Sequence, residues 1–92
     1  MFLEIVSPEA TLFSHEINAV SAPGIEGEFQ ILNNHAPIVS ILGAGKIKIE
    51  GNGFEIAEAF KSDFVTEGNK QVLSINGGTL EMKENKIIVL ID

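Results

Sequence analysis

Hydrophobic and polar residues alternate along most of this chain, and that two-residue period is typical of β-strands. The clearest example is residues 46–50, in which isoleucines alternate with two lysines and a glutamate. The predicted strands are 2–6, 11–13, 17–22, 28–32, 38–42, 46–50, 72–75, 79–82 and 87–91. The pattern therefore predicts an all-β fold, a flattened antiparallel sandwich or barrel of about eight to ten short strands.

Glycine, proline and asparagine mark the predicted connections between these strands. Residues 23–27 start with proline and contain two glycines, so they are predicted to form a loop. Residues 33–37, with the sequence Asn-Asn-His-Ala-Pro, are predicted to form a turn. The Gly-Asn-Gly at 51–53 favours a hairpin, because both residue types tolerate positive φ.

Two segments depart from simple alternation. Residues 54–66 fit either a short helical turn or a pair of strands, because several of their apolar residues also follow helical spacing. The last predicted strand, 87–91, consists only of apolar residues, so we expect both of its faces to be covered.

Length and composition limit the class of protein. The 92 residues are enough for one domain, and 45% of them are hydrophobic, which favours a folded core over disorder. The chain has no cysteine, which excludes disulfides and cysteine-ligated zinc. The first residues lack the features of a signal peptide, and the apolar run 87–91 is far shorter than the ~20 residues that span a bilayer. We therefore expect no direct membrane insertion.

The charge is strongly unbalanced. Thirteen acidic residues stand against six basic ones, the net charge is −7, and residues 1–45 contain neither lysine nor arginine. Such a surface would repel a phosphate backbone, so nucleic-acid binding is not expected. The acidic excess either keeps the domain soluble or attracts a partner with a basic patch.

The sequence does not match the motifs of catalytic or metal-binding sites. The Gly-Ala-Gly-Lys at 43–46 lacks the remaining positions of a phosphate-binding loop and is predicted to be a turn. His15 and His35 lie twenty residues apart without local ligand spacing, so no metal or cofactor is expected. Glu26 and Glu28 are interpreted as a solvated face or an electrostatic docking edge rather than an acid–base pair. His35 is either part of a turn or a contact for a partner.

Several longer motifs, taken together, resemble the epsilon subunit of bacterial F-type ATP synthases. They are PGIEGEFQIL at 23–32, NHAPIVSIL at 34–42 and NGGTLEMKENKIIVLID at 76–92. The resemblance covers about residues 1–50 and 72–92 and points to that subunit's N-terminal β-sandwich domain, which we expect to span 1–92 as a single domain. The family commonly continues into two regulatory C-terminal helices, and these are not part of the 92 residues.

The resemblance implies a non-catalytic rotor subunit of the central stalk. It implies binding to the gamma subunit and contact with the polar loops of the c-ring, which couples proton translocation to ATP synthesis at the cytoplasmic face of the bacterial inner membrane. The residues that match the family's contact motifs are Glu26, Gly27 and Glu28, near the ring, and His35, Ala36, Pro37 and Ser40, near gamma. The alternative is a small β-sandwich that binds a ligand or acts as a minor enzyme, which predicts a deep pocket near His35 and Glu28.

The chain also departs from the family pattern. Gln30 and Asn33 stand where the family usually has glycine and proline. We expect an ordinary strand backbone at Gln30 and a side-chain hydrogen bond from Asn33 that holds its turn. Residues 51–71 match the family's usual connection poorly.

Overall fold

The computed structural model describes residues 1–54 and 56–92, and within them it shows ten β-strands and one short 3-10 helix. The strands are β1 (Phe2–Val6), β2 (Thr11–Glu16), β3 (Ala19–Gly24), β4 (Gly27–Leu32), β5 (Ile38–Leu42), β6 (Gly45–Glu50), β7 (Phe64–Glu67), β8 (Lys70–Ile75), β9 (Gly78–Lys83) and β10 (Lys86–Ile91). The helix is Glu58–Asp63, between β6 and β7. The predicted all-β fold is confirmed.

All ten strands belong to one curled sheet in the order β2-β1-β10-β9-β5-β3-β6-β8-β7, with β4 paired to β3. Strands β5 and β3 share a single residue pair, Gly24 with Leu42. That narrow junction divides the sheet into a first half, β2-β1-β10-β9-β5, and a second half, β4-β3-β6-β8-β7. The two halves enclose a common core, which gives the sandwich that the alternation predicts.

The core consists of the inward-facing residues of both halves. In the first half these include Leu3, Ile5, Leu80, Ile87 and Val89, and in the second half Val20, Ile31, Ile47 and Ile49. The alternating segment 46–50 thus places its two isoleucines inside and its lysines outside, as its period requires. Burial of each such side chain contributes about 1.5–3 kcal/mol relative to exposure.

Neighbouring strands pair antiparallel, as predicted, except β1 and β10, which are parallel. Strands that follow one another through a short turn must run in opposite directions. Strands β1 and β10 come from the two ends of the chain, so no turn sets their relative direction. This pair joins the β1–β2 hairpin to the β9–β10 hairpin within the first half, and it cannot be derived from local patterns.

The region after β6 differs in part from its prediction. Residues 51–53 do not form a hairpin, because β6 pairs with β8 rather than with the next strand. The intervening segment places Phe54 edge-on against Phe13, with ring centroids 5.2 Å apart, so it covers part of the core. The helical turn that 54–66 could form is confirmed by the 3-10 helix, and residue 55 lies outside the described residues.

The predicted loop at 23–27 is wrong, because only Ile25 and Glu26 lie outside the strands. Gly24 and Gly27 face each other as the last pair of the β3–β4 hairpin. A Cβ on Gly24 would lie 2.9 Å from the carbonyl oxygen of Gly27, and Gly27 itself has a φ of 129°. Glycine therefore allows the ladder to continue to a two-residue turn.

The prediction that 87–91 is covered on both faces is also wrong. Ile87 and Val89 are fully buried, whereas Leu90 is 51% exposed. Strand β10 lies inside the first half, so its inner face meets the core, and its outer face is open to solvent.

Candidate functional site

Four large apolar side chains lie exposed near the junction of the two halves. They are Ile25, Val39, Ile41 and Leu90, and their exposed fractions are 67%, 75%, 60% and 51%. We call this set the apolar patch. An isolated exposed apolar residue is common, but a contiguous group of them is typical of an interaction surface.

The register of the strands shows that the patch is contiguous. Ile41 in β5 and Leu90 in β10 both pair with Thr79 in β9, so their side chains flank Thr79 on the outer face. Val39 lies two residues before Ile41 on the same face of β5. The backbone N–H of Ile25 donates to the carbonyl oxygen of Ile41 at 3.3 Å, which brings the β3–β4 turn beside β5.

Carboxylates are interspersed with the apolar residues on this outer face. Glu81 in β9 pairs with both Val39 and Ile88, and Ile88 pairs with Glu4 in β1. Glu81 is exposed and Glu4 is half-buried. A partner that fits this face would offer apolar side chains together with lysine or arginine, because the carboxylates need a counter-charge when water is excluded.

The acidic residues singled out from the sequence lie at the tip of the β3–β4 hairpin. Glu26 occupies the turn, Gly27 and Glu28 begin β4, and all three are exposed. The carboxylate of Glu28 lies 3.6 Å from Nζ of Lys48 on β6. This ion pair is open to solvent and contributes little to stability. The side chains of Glu26 and Glu28 are both accessible to solvent at one end of the molecule.

His35, Ala36 and Pro37 are exposed in the connection from β4 to β5. The His35 backbone N–H donates to the carbonyl oxygen of Leu32 at 3.2 Å. Its ring Nδ1 donates to the carbonyl oxygen of Ala36 at 2.7 Å, and because a carbonyl only accepts, Nδ1 carries the proton. The ring is thus part of the turn, and its other edge is free to meet a partner.

Ser40 lies on the inner face of β5 and is half-buried, between the outward-facing Val39 and Ile41. Its Oγ donates to the carbonyl oxygen of Ile41 at 3.4 Å. The family resemblance indicates Ser40 as the contact residue of β5, whereas the exposed side chains of this strand are those of Val39 and Ile41. The signal was present in IVSIL, which has apolar residues at both odd and even positions, so that its second apolar face is either covered by another element or left exposed as a contact surface.

Two hollows in the surface lie in other regions. One hollow of about 500 Å³ is lined by residues that include Leu12, Phe60, Leu73, Ile91, Glu9 and Asp63. The other, of about 430 Å³, is lined by residues that include Phe54, Ile56 and Phe64. Within residues 1–54 and 56–92, no three or more His, Cys, Asp or Glu side chains converge as metal ligands would. None of the helices in that part of the chain has the length and apolar character to cross a membrane.

Comparison with known families gives one match over the whole chain. A family model described as "ATP synthase, Delta/Epsilon chain, beta-sandwich domain" matches residues 1–92, including the segment 51–71 that the motifs do not cover. The ATP synthase epsilon chain of Campylobacter curvus is 36% identical over 92 residues, which are 100% of this chain and 60% of that protein. That of Chlorobaculum tepidum is 42% identical over 76 residues, 77% of this chain and 83% of that protein.

The fold is also found in solved structures. A chain of the Tetrahymena thermophila mitochondrial ATP synthase, in a structure of its central stalk and c-ring, has a TM-score of 0.75 at 16% identity and covers 99% of this chain and 62% of that one. A chain of the Euglena gracilis mitochondrial ATP synthase has a TM-score of 0.75 at 20% identity, with 97% and 48% covered. At such identities the likeness concerns the fold alone. The chain spans about 60% of the length of several of its relatives.

Proposed function

The chain belongs to the ATP synthase delta/epsilon β-sandwich family, and from that membership we propose that it is a non-catalytic rotor subunit of the central stalk. In this proposal it binds the gamma subunit and contacts the polar loops of the c-ring, and so helps to couple proton translocation to ATP synthesis. It acts as a peripheral part of the complex at the cytoplasmic face of the bacterial inner membrane.

The observation that carries the proposal is the apolar patch beside the His35 connection. Val39 and Ile41 expose 75% and 60% of their surface on a strand whose other face meets the core. A permanent interface needs such a desolvated centre, with polar residues around it. We assign this surface to gamma, with His35, Ala36 and Pro37 at its border and Ser40 behind it.

The end of the molecule that carries Glu26, Gly27 and Glu28 is assigned to the ring. Glu26 projects from a tight turn that glycine permits, Glu28 lies two residues further on in β4, and Lys48 at 3.6 Å from Glu28 offsets only part of their charge. Basic side chains in the polar loops of a ring would be attracted to this tip, which mainly speeds and orients docking.

The direct experiment is co-purification of this chain with the gamma subunit of the same organism. We expect a stable complex of one copy of each. A purified chain that ignored gamma and the ring yet converted a small molecule unaided would instead support the alternative, a ligand-binding module or minor enzyme.

Reversal of the charge at the tip, Glu26→Lys with Glu28→Lys, is expected to weaken assembly on the ring. Attraction becomes repulsion at two exposed positions, so we expect roughly a tenfold loss of affinity at low salt and a smaller loss near 1 M salt. The measurement is binding to c-ring-containing vesicles, together with proton pumping by the reconstituted enzyme.

The matched control is Glu58→Lys with Glu67→Lys, which changes the net charge equally at two other exposed acids. Glu58 and Glu67 lie near Lys61 at 3.2 Å and Lys46 at 3.7 Å, as Glu28 lies near Lys48. Equal losses in both double variants would show that only the overall charge matters, and would remove the tip from the proposal.

Replacement of His35 by alanine is expected to affect gamma binding more than folding. The side chain is exposed and its one hydrogen bond joins it to the next residue, so its loss leaves the core unchanged. We expect about a three- to tenfold weaker complex and a melting temperature within about 2 °C of the wild type. Lower stability with unchanged affinity would reduce His35 to a turn residue.

A further inference from the structure

The side chain of Asn85 connects two turns that are far apart in sequence. It lies in the two-residue turn between β9 and β10, where Glu84 and Asn85 have φ values of 53° and 60°. Its Oδ1 accepts a hydrogen bond from the backbone N–H of Asn34 at 2.8 Å, and its Nδ2 donates to Oδ1 of Asn33 at 2.9 Å. The backbone carbonyl of Asn85 also accepts from the N–H of Phe2 at 3.1 Å.

The two residues that Asn85 holds begin the connection that carries His35. This connection crosses from β4, an edge strand paired only with β3, to β5 in the other half of the sheet. Asn34 has a φ of 64°, and Oδ1 of Asn33 also accepts from the Met1 amino group at 3.1 Å. The side chain of Asn33 is hydrogen-bonded, but the predicted bond within its own turn is wrong, because both partners lie in other segments.

Asparagine is suited to position 85 for two reasons. It is among the residues that adopt positive φ with little strain, which the turn requires. Its carboxamide has a donor and an acceptor side by side, and both are used. Aspartate would keep the acceptor and lose the donor, and glycine would keep the backbone conformation and lose both.

We propose that Asn85 is a positioning residue of the gamma-binding surface: it fixes the connection at 33–37, whose Pro37 lines one surface hollow together with Val39 of the apolar patch, before the partner arrives. This inference depends on the proposed function. A loop already held in its bound conformation loses less entropy on binding, so the complex is tighter although Asn85 touches no partner.

The test compares Asn85→Gly with the wild type in two measurements. In the isolated chain, amide hydrogen exchange of Asn34 is followed by NMR, and we expect it to accelerate about tenfold because its acceptor is lost. Binding to purified gamma is measured by calorimetry well below the melting temperature, and we expect the affinity to fall about three- to tenfold.

Two further variants provide the controls. Glu84→Gly makes the same change at the neighbouring positive-φ position, whose side chain is exposed, and is expected to leave both measurements at wild-type values. Asn85→Asp keeps the acceptor for Asn34, so it should retain most of the Asn34 protection while it loses the bond to Asn33. A folded far-UV spectrum for each variant accompanies the measurements.

Each result decides the inference. Faster exchange and weaker binding in Asn85→Gly, but not in Glu84→Gly, support it. Unchanged Asn34 exchange in Asn85→Gly would overturn the claim that this side chain holds the connection, and faster exchange with unchanged affinity would overturn its role in binding. If the wild type itself fails to bind gamma, the proposed function fails, and the exchange data still decide whether Asn85 fixes the connection.

Discussion

Replacement of Val39 by aspartate is expected to abolish tight binding of the gamma subunit. Val39 is 75% exposed on the outer face of β5, at the centre of the surface that we assign to gamma. A carboxylate there would have to leave water on association, next to Glu81, which already carries the same charge. We expect the affinity to fall at least about a hundredfold, or about 3 kcal/mol, by calorimetry.

The matched control is Val65→Asp. Val65 is 59% exposed on β7, an edge strand of the second half, far from β5 in the strand order. In both variants valine becomes aspartate, which adds one negative charge, and each residue lies on a strand with a largely free edge. The two substitutions should therefore lower the stability by similar and small amounts. Wild-type affinity for Val39→Asp, or an equal loss in Val65→Asp, would refute the assignment of the apolar patch to gamma.

Replacement of Leu80 by alanine is expected to cause the largest loss of stability. Leu80 has no exposed surface and pairs with Ser40 on one side and Val89 on the other, in the middle of the first half. The variant loses buried apolar surface and leaves a cavity, so we expect a cost of about 2–5 kcal/mol. For a domain with a total stability of about 5–14 kcal/mol, the melting temperature should fall by about 10–25 °C.

Leu90→Ala is the matched control for that variant, since Leu90 lies in the same hairpin but on the outer face. We expect its unfolding free energy to change by less than about 1 kcal/mol, and its affinity for gamma to fall about tenfold. Denaturant unfolding and calorimetry thus separate the two faces. Equal destabilisation by the two variants would show that the outer face is part of the folded core rather than a binding surface.

Val39→Asp, Leu80→Ala and Leu90→Ala together test how stability and binding are divided between the two faces of the first half. Leu3, Leu80 and Val89 on its inner face stabilise the fold, and its outer face presents Val39, Ile41 and Leu90 of the apolar patch. The same strands therefore hold the fold together and present the binding surface.

The sequence alone determined the class of fold, because alternation follows directly from the two-residue period of a strand. The pattern at 46–50 required Ile47 and Ile49 to face the core, and both are fully buried. It also identified the family, since long ordered motifs carry more information than single residues. It did not determine where a strand ends or a hairpin turns when this depends on the close approach of two backbone segments, as it does at Gly24 and Gly27.

Only the tertiary structure decided which residues come together across the chain. The parallel pairing of β1 with β10 places Leu90 in the middle of a sheet with one open face, and the junction at Gly24 and Leu42 brings Ile25 beside Ile41. The contact of Asn85 with Asn33 and Asn34 joins positions about fifty residues apart. The alternation of a segment depends only on the residues of that segment. These contacts depend on how all the strands pair together, and no single segment contains that information.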